Sequence, residues 1–220
     1  MFQGYHLTIK KKMGGKTVPR FNELEKVNIR KNLIQKGTEL FILYGLKKTT
    51  IDNIATACGI SKGSFYAFYE TKEDLYLEIW LKEEAKFNEF LTEIMQSYDD
   101  AKEMLIEVCR GTFRYFEMNP FHRNMYEKKE MEQLVRKLAP EKLSMLINQD
   151  NSTFVPLIKK LQEEKKIIPI DPETVMGIHR CLSMLPLIRQ EVGAAVFPAA
   201  IEHMIQFIAE GLTKSENGRT

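Results

Sequence analysis

Cysteine is scarce in this 220-residue chain: three, at positions 58, 109 and 181, odd in number and widely spaced. No CxxC pair occurs, which argues against a disulfide framework or a zinc site. Each thiol reads as a small apolar residue in a reducing compartment. Long apolar runs are also missing, and nothing approaches the ~20 residues that a bilayer-crossing helix needs. The start has no apolar stretch leading to a small-residue cleavage site, so a cytoplasmic protein without a membrane partner is expected. Met13 is an alternative start that would make the first twelve residues a leader. The four histidines, 6, 122, 179 and 203, are scattered. No metal-ligand spacing, Gly-rich phosphate loop or nucleophile motif occurs. The expectation is no catalytic residue, no metal, no cofactor and no enzyme.

Net charge is small as well, only +2 over the whole chain. Its distribution is uneven. Residues 1–50 hold eleven Lys or Arg against three Asp or Glu, a net of +8, which leaves −6 for the other 170 residues. A basic N-terminal module with a slightly acidic body behind it is the natural reading.

Residues 1–20, with Gly14–Gly15, Pro19 and the Lys10–Lys12 triplet, lack any apolar period and read as a flexible basic arm. The triplet is either a minor-groove arm or a solvated tail. From Asn22 the pattern is helical throughout, with about nine helices and no alternating strand. Asn22 and Glu25 have capping-box spacing, Gly45 closes the first helix, and a short helix covers Ile51–Ala57. Gly59 then supplies a tight turn and Ser61 caps a helix to about Tyr69. Thr71 and Asp74 start the next, to about Gln96. Further helices cover Asp99–Met118, Phe121–Leu138 and Glu141–Lys166, where the polar run Asn148–Thr153 and Pro156 are two points of interruption. The last two cover Asp171–Glu191, kinked at Pro186, and Ala194–Leu212. The domains expected are an arm at 1–20, a helix-turn-helix module at 21–71, a larger helical bundle at 72–213 and a flexible tail at 214–220.

Two short helices joined by a Gly turn make a helix-turn-helix. A helix entering the ~12 Å major groove must be slim on its leading face. Ser61, Gly63, Ser64 and Ala67 are small, and the two serines can hydrogen-bond phosphates or base edges. Lys62 brings charge, and Lys72 can pair with the DNA backbone. Tyr66 and Tyr69 either reach phosphate oxygens through their hydroxyls or pack in the core. Phe65 should anchor the helix.

The stretch TTIDNIATACGISKGSFYAFYETKEDL, with ELFILYG before it, resembles the DNA-binding segment of the TetR family of transcriptional repressors. The match is in register over about Asn28–Leu77. Ala67 and Glu70 depart from it, standing where the family often has a larger polar residue and a Pro or neutral residue. The resemblance implies phosphate contacts from Thr50, Ser61, Tyr66 and Lys72, base reading from the start of the helix at Ser61, and added charge from Lys47 and Lys48. It also implies an operator bound by a homodimer, with repression as the family habit and release by a small molecule.

Helical bundles bury ligand sites between helices. The residues singled out for a pocket are Trp80, Phe87, Met104, Arg110, Phe113, Arg114, Phe116, His122, Met125, Tyr126 and Met145. Apolar positions of the last two helices, His179, Met184, Leu187, Phe197, Ile201, Met204, Ile205 and Ile208, read as a dimer surface. The function expected is a ligand-responsive DNA-binding regulator. The rivals are a helical interaction protein whose helix-turn-helix only packs and a helical-bundle enzyme.

Overall fold

The computed structural model describes residues 21–127, 130–138 and 140–213, without the side chains of 126–127, 131–133, 135 and 143–150. The expected arm, with Lys10–Lys12, and the tail lie outside the described residues. Within them the chain is all-α. No described helix is long and apolar enough to cross a membrane.

Helix α1 (Glu23–Lys48) opens on the Asn22–Glu25 capping box, each backbone amide donating to the other residue's side chain at 2.8 Å. It breaks at Gly45, whose φ of 78° is costly for any residue with a Cβ. Thr50 caps α2 (Ile51–Ala57). Gly59, at φ 66°, makes the left-handed turn that follows. Ser61 caps α3 (Lys62–Phe65) by accepting the Ser64 amide at 3.1 Å. This helix is shorter than Ser61–Tyr69. Bonds of i→i+3 type, Ala67 N to Ser64 O at 3.1 Å and Phe68 N to Phe65 O at 2.9 Å, tighten its end into turns. Thr71 and Asp74 form the capping box of α4 (Lys72–Ser97).

The body continues with α5 (Ala101–Met118), α6 (Pro120–Glu127), α7 (Glu130–Lys137) and α8 (Pro140–Glu163). It ends with α9 (Pro172–Met184), a 3-10 turn (Leu185–Ile188), α10 (Arg189–Val192) and α11 (Phe197–Thr213). The single helix expected over Phe121–Leu138 is therefore two, α6 and α7. Helix α8, by contrast, runs unbroken through Pro156. Pro186 ends α9 in a 3-10 turn rather than kinking a longer helix, because its ring cannot supply the i→i−4 donor.

Three apolar clusters hold the described residues together. The first joins Leu33, Phe41, Ile54, Phe65 and Tyr76 to Phe121, Met125 and Leu134. Burying side chains of this size contributes roughly 1.5–3 kcal/mol each. The boundary expected between 71 and 72 falls at the Thr71 cap, but this core runs straight across it. Helix α4 thus serves both parts. A second cluster, around Phe87, Leu91, Phe154, Ile158 and Met176, fills the body. A third packs α11 on α5 and α9 through Ile201, Ile205, Cys109 and Leu182.

Candidate nucleic-acid interface

Phe65 is fully buried and stacks near Tyr69, with ring centroids 5.8 Å apart, so it pins α3 by its inner face. The outer face is what remains: Ser61, Lys62, Gly63 and Tyr66 are exposed, and Ala67 is partly so. Tyr66 is 51% accessible, its ring edge-on to Phe65 with centroids 5.8 Å apart. Lys62 Nζ lies 2.8 Å from Asp52 Oδ2 of α2, an exposed pair that raises the lysine pKa chiefly through the hydrogen bond. Such a pair is weak and yields readily to a phosphate. Lys47, Lys48 and Thr50 are exposed beside it. The Thr50 hydroxyl donates to Asn53 Oδ1 at 2.7 Å and accepts the Asn53 amide at 3.1 Å.

Gly63 has an informative environment. Among the described residues a Cβ built there meets only Ser61 Oγ, at 3.7 Å, which is ordinary contact. None of them requires a glycine at this exposed helical position, where glycine costs about 1 kcal/mol relative to alanine.

Three residues expected on the DNA face are committed elsewhere. Ser64 is 3% accessible, and its Oγ lies 2.9 Å from Ser61 Oγ, because the i+3 position of this short helix turns inward. Tyr69 is buried and donates to Glu78 Oε2 at 2.8 Å, with the Arg30 guanidinium 5.9 Å from its ring centre. Burial first, then Glu78, pushes its phenol pKa upward. Lys72 turns back to α1, donating to the carbonyls of Leu46 at 2.6 Å, Thr49 at 2.7 Å and Lys47 at 3.3 Å. Burial lowers its pKa. It neutralises the carbonyl-rich end of α1, a structural duty that the sequence pattern did not reveal.

The profile of the bacterial regulatory proteins of the tetR family matches residues 33–79, which is α2, the Gly59 turn and α3 with their flanking helices. These residues are a TetR-family DNA-binding domain. YhgD, an uncharacterized HTH-type transcriptional regulator of Bacillus subtilis, is 29% identical over 100 residues, 46% of this chain and 42% of YhgD. The match thus spans under half the length of that relative. A TetR-family regulator from Pectobacterium atrosepticum superposes with a TM-score of 0.70 at 16% identity, covering 89% of this chain and 99% of that one. The FadR repressor of Thermus thermophilus, in complex with lauroyl-CoA, does so with a TM-score of 0.63 at 17% identity, covering 87% and 98%. At such identities the likeness is one of fold. It extends the all-α TetR-family architecture beyond the DNA-binding domain through the body.

The body disperses the residues singled out for a pocket. A cavity of about 70 Å³ lies between α4, α5, α8, α9 and α11, and of those residues whose side chains are described only Met104 lines it. Trp80 donates to Glu84 Oε1 at 2.7 Å. Phe87 and Phe116 pack on each other, with centroids 5.1 Å apart. His122 is buried, stacked on Phe116 at 5.2 Å with Nε2 3.2 Å from Glu84 Oε1. Met125 belongs to the first core cluster and Phe113 flanks the third. Arg110 is exposed and paired with Glu107 at 3.0 Å and with Glu202, and Arg114 is exposed near Glu107. The side chains of Tyr126 and Met145 lie outside the described residues.

The expected dimer surface divides in the same way. Phe197, Ile201 and Ile205 face the chain's own core, Ile208 flanks it, and His179 turns inward to Thr112. Leu187 is partly exposed, and Met184 and Met204 are exposed. Ile188 beside them is exposed too, and the pattern reading missed Val192, Val196 and Phe207, all exposed and Phe207 at 67%. Phe207 stands one helical step from Met204, a spacing that could have picked it out.

Proposed function

We propose that this TetR-family regulator binds a palindromic operator as a homodimer, represses transcription there, and is released when a small molecule enters the body. The observation that carries the DNA-binding part is the outward face of α3. Ser61, Lys62, Gly63 and Tyr66 are exposed outside the core that holds Phe65, and no described residue gives Gly63 a reason to be glycine. A close-approaching DNA backbone supplies that reason. Lys47, Lys48 and the Thr50 cap extend the contact toward phosphates.

Dimerisation is supported by exposed Met184, Ile188, Val192, Val196, Met204 and Phe207, which fall on α9 to α11 and the turns between them. An apolar group of this kind on a folded chain marks a contact surface. Two-fold pairing also doubles the contacts that one short helix makes, and it sets the two α3 helices about 34–36 Å apart, one turn of duplex. Repression and release by a ligand follow relatives such as the lauroyl-CoA-bound FadR repressor. Release works only through differential affinity of the ligand for two dimer geometries.

The test is selection of bound duplexes from a random DNA pool. A palindrome with half-sites one turn apart is the expected result. Recovery of no consensus, or of a single unpaired half-site, would contradict the reading.

A further inference from the structure

We propose that the cavity between α4, α5, α8, α9 and α11 is the effector site and that it takes an uncharged, hydrophobic molecule, or the apolar end of one. This rests on the regulator reading above and adds to it the place and chemistry of the ligand.

The cavity holds about 70 Å³, more than a single water fills, in a core where voids of that size are few. Its walls include Leu91, Met104, Cys109, Phe154 and Met176, with no Asp, Glu, Lys or Arg among the described residues. A cation would find no counter-charge there, and an anion no donor cluster. Either would lose its hydration without replacement. Among the described residues, the one titratable nitrogen group on the wall is the imidazole of His179. Thr112 Oγ1 gives its one proton to the Val108 carbonyl at 2.9 Å, so at 2.9 Å from His179 Nε2 it can only accept. That places a proton on Nε2, and burial, which drags the pKa down to about 4, leaves Nδ1 bare at neutral pH. The described wall is thus uncharged at neutral pH.

The volume is about half that of a benzene-sized cavity of ~150 Å³, so the site as it stands admits a short alkyl segment. Met95, Met104 and Met176 line it, and unbranched thioether chains re-pack to admit more. Leu91 and Met95 belong to α4, the helix whose first turn is packed under the DNA-binding helices. Occupancy that displaces these two side chains acts directly on the element shared by both parts.

The experiment uses the full-length protein and three probes with one tail and different heads: 1-hexanol, hexanoate and hexylammonium at pH 7. Thermal midpoint and calorimetric titration read binding without DNA, and anisotropy on a selected duplex reads coupling. Hexanol is expected to bind at least ~10-fold more tightly than either ion and to weaken DNA binding by roughly 5–150-fold at saturation, the usual range of coupling. Cys109→Leu, which fills part of the cavity, is expected to abolish the hexanol response, and the milder Val108→Ile to reduce it. Tighter binding of either ion, no binding of any probe, or a hexanol response unchanged in both variants overturns the proposal. Hexanol binding with no effect on DNA affinity overturns the effector role. A protein that binds hexanol but no DNA contradicts the regulator reading alone.

Discussion

The carboxylate of Glu130 accepts the backbone amide of Leu46 at 2.8 Å, joining the start of α7 to the residue just past the Gly45 break in α1. Its second oxygen accepts the Tyr76 hydroxyl of α4, also at 2.8 Å, and Glu130 is almost wholly buried. One body side chain thus completes two buried donors in the DNA-binding part. Lys137 to Glu73 at 2.6 Å, Asn124 to the Ile42 carbonyl at 2.6 Å, and Lys142 to Asp74 reinforce the same junction.

Replacing Glu130 by Leu strands those donors in apolar surroundings. Each buried donor left unpaired costs about 1–3 kcal/mol, so a loss of roughly 2–6 kcal/mol is expected in urea unfolding. Glu130→Gln keeps an acceptor and should lose less. Equal stability of Glu130→Leu and the parent would show that the junction is not cohesive.

Lys62 and Lys72 should separate cleanly, although both are lysines of the TetR-type motif. Lys62→Gln removes an exposed charge, so the slope of log affinity against log salt should fall by about 1, with stability within ~0.5 kcal/mol of the parent. Lys72→Met uncaps the end of α1 and should lower stability by about 1–3 kcal/mol with little change in salt slope. Anisotropy titrations from low to high salt, with unfolding curves beside them, check both.

Tyr66 and Tyr69 form a second pair of this kind. Tyr69→Phe forfeits the hydrogen bond to the Glu78 carboxylate and should cost about 1.5–3 kcal/mol of stability. Tyr66→Phe should leave stability alone and weaken DNA binding. The reverse pattern would mean that α3 presents its other face.

The imidazole of His179, turned inward to Thr112, makes stability depend on pH. Its pKa is about 6.5 when unfolded and is pushed down to about 4 by burial in the folded chain. The unfolded state therefore binds more protons between these values. The contribution is fully present above pH 6.5 and is lost as pH falls toward 4, by at most about 3 kcal/mol. His179→Gln should flatten that part of the stability profile. A variant with the parent's full acid sensitivity would place the titration elsewhere.

How much of this was legible in the sequence depended on how local the physics was. The Asn22–Glu25 and Thr71–Asp74 boxes, the Ser61 cap and the Gly59 turn involve residues within three positions of one another, so spacing alone revealed them. Period left both phosphate contact and core packing open for Tyr69, because its orientation is set by Glu78 and Arg30 from other helices. Lys72 looked like a phosphate ligand because its partners, the Leu46 and Thr49 carbonyls, are backbone atoms more than twenty residues away. The cavity was the least legible. Leu91, Met104, Phe154, Met176 and Ile208 come from five helices, and nothing in any one of them distinguishes a cavity wall from ordinary core. Choosing pocket residues by aromatic and arginine content selected packing, as with Phe87, and surface ion pairs, as with Arg110.

The most direct test of the outward face of α3 is anisotropy of the full-length chain on a selected duplex, parent against Gly63→Leu, with thermal midpoints measured alongside. The space around Gly63 predicts a variant at least as stable as the parent, since leucine favours helix more than glycine by roughly 0.8 kcal/mol. DNA affinity should nevertheless fall by at least ~100-fold, because the added side chain occupies the gap between helix and duplex. A stable Gly63→Leu protein that binds DNA as tightly as the parent would contradict the account.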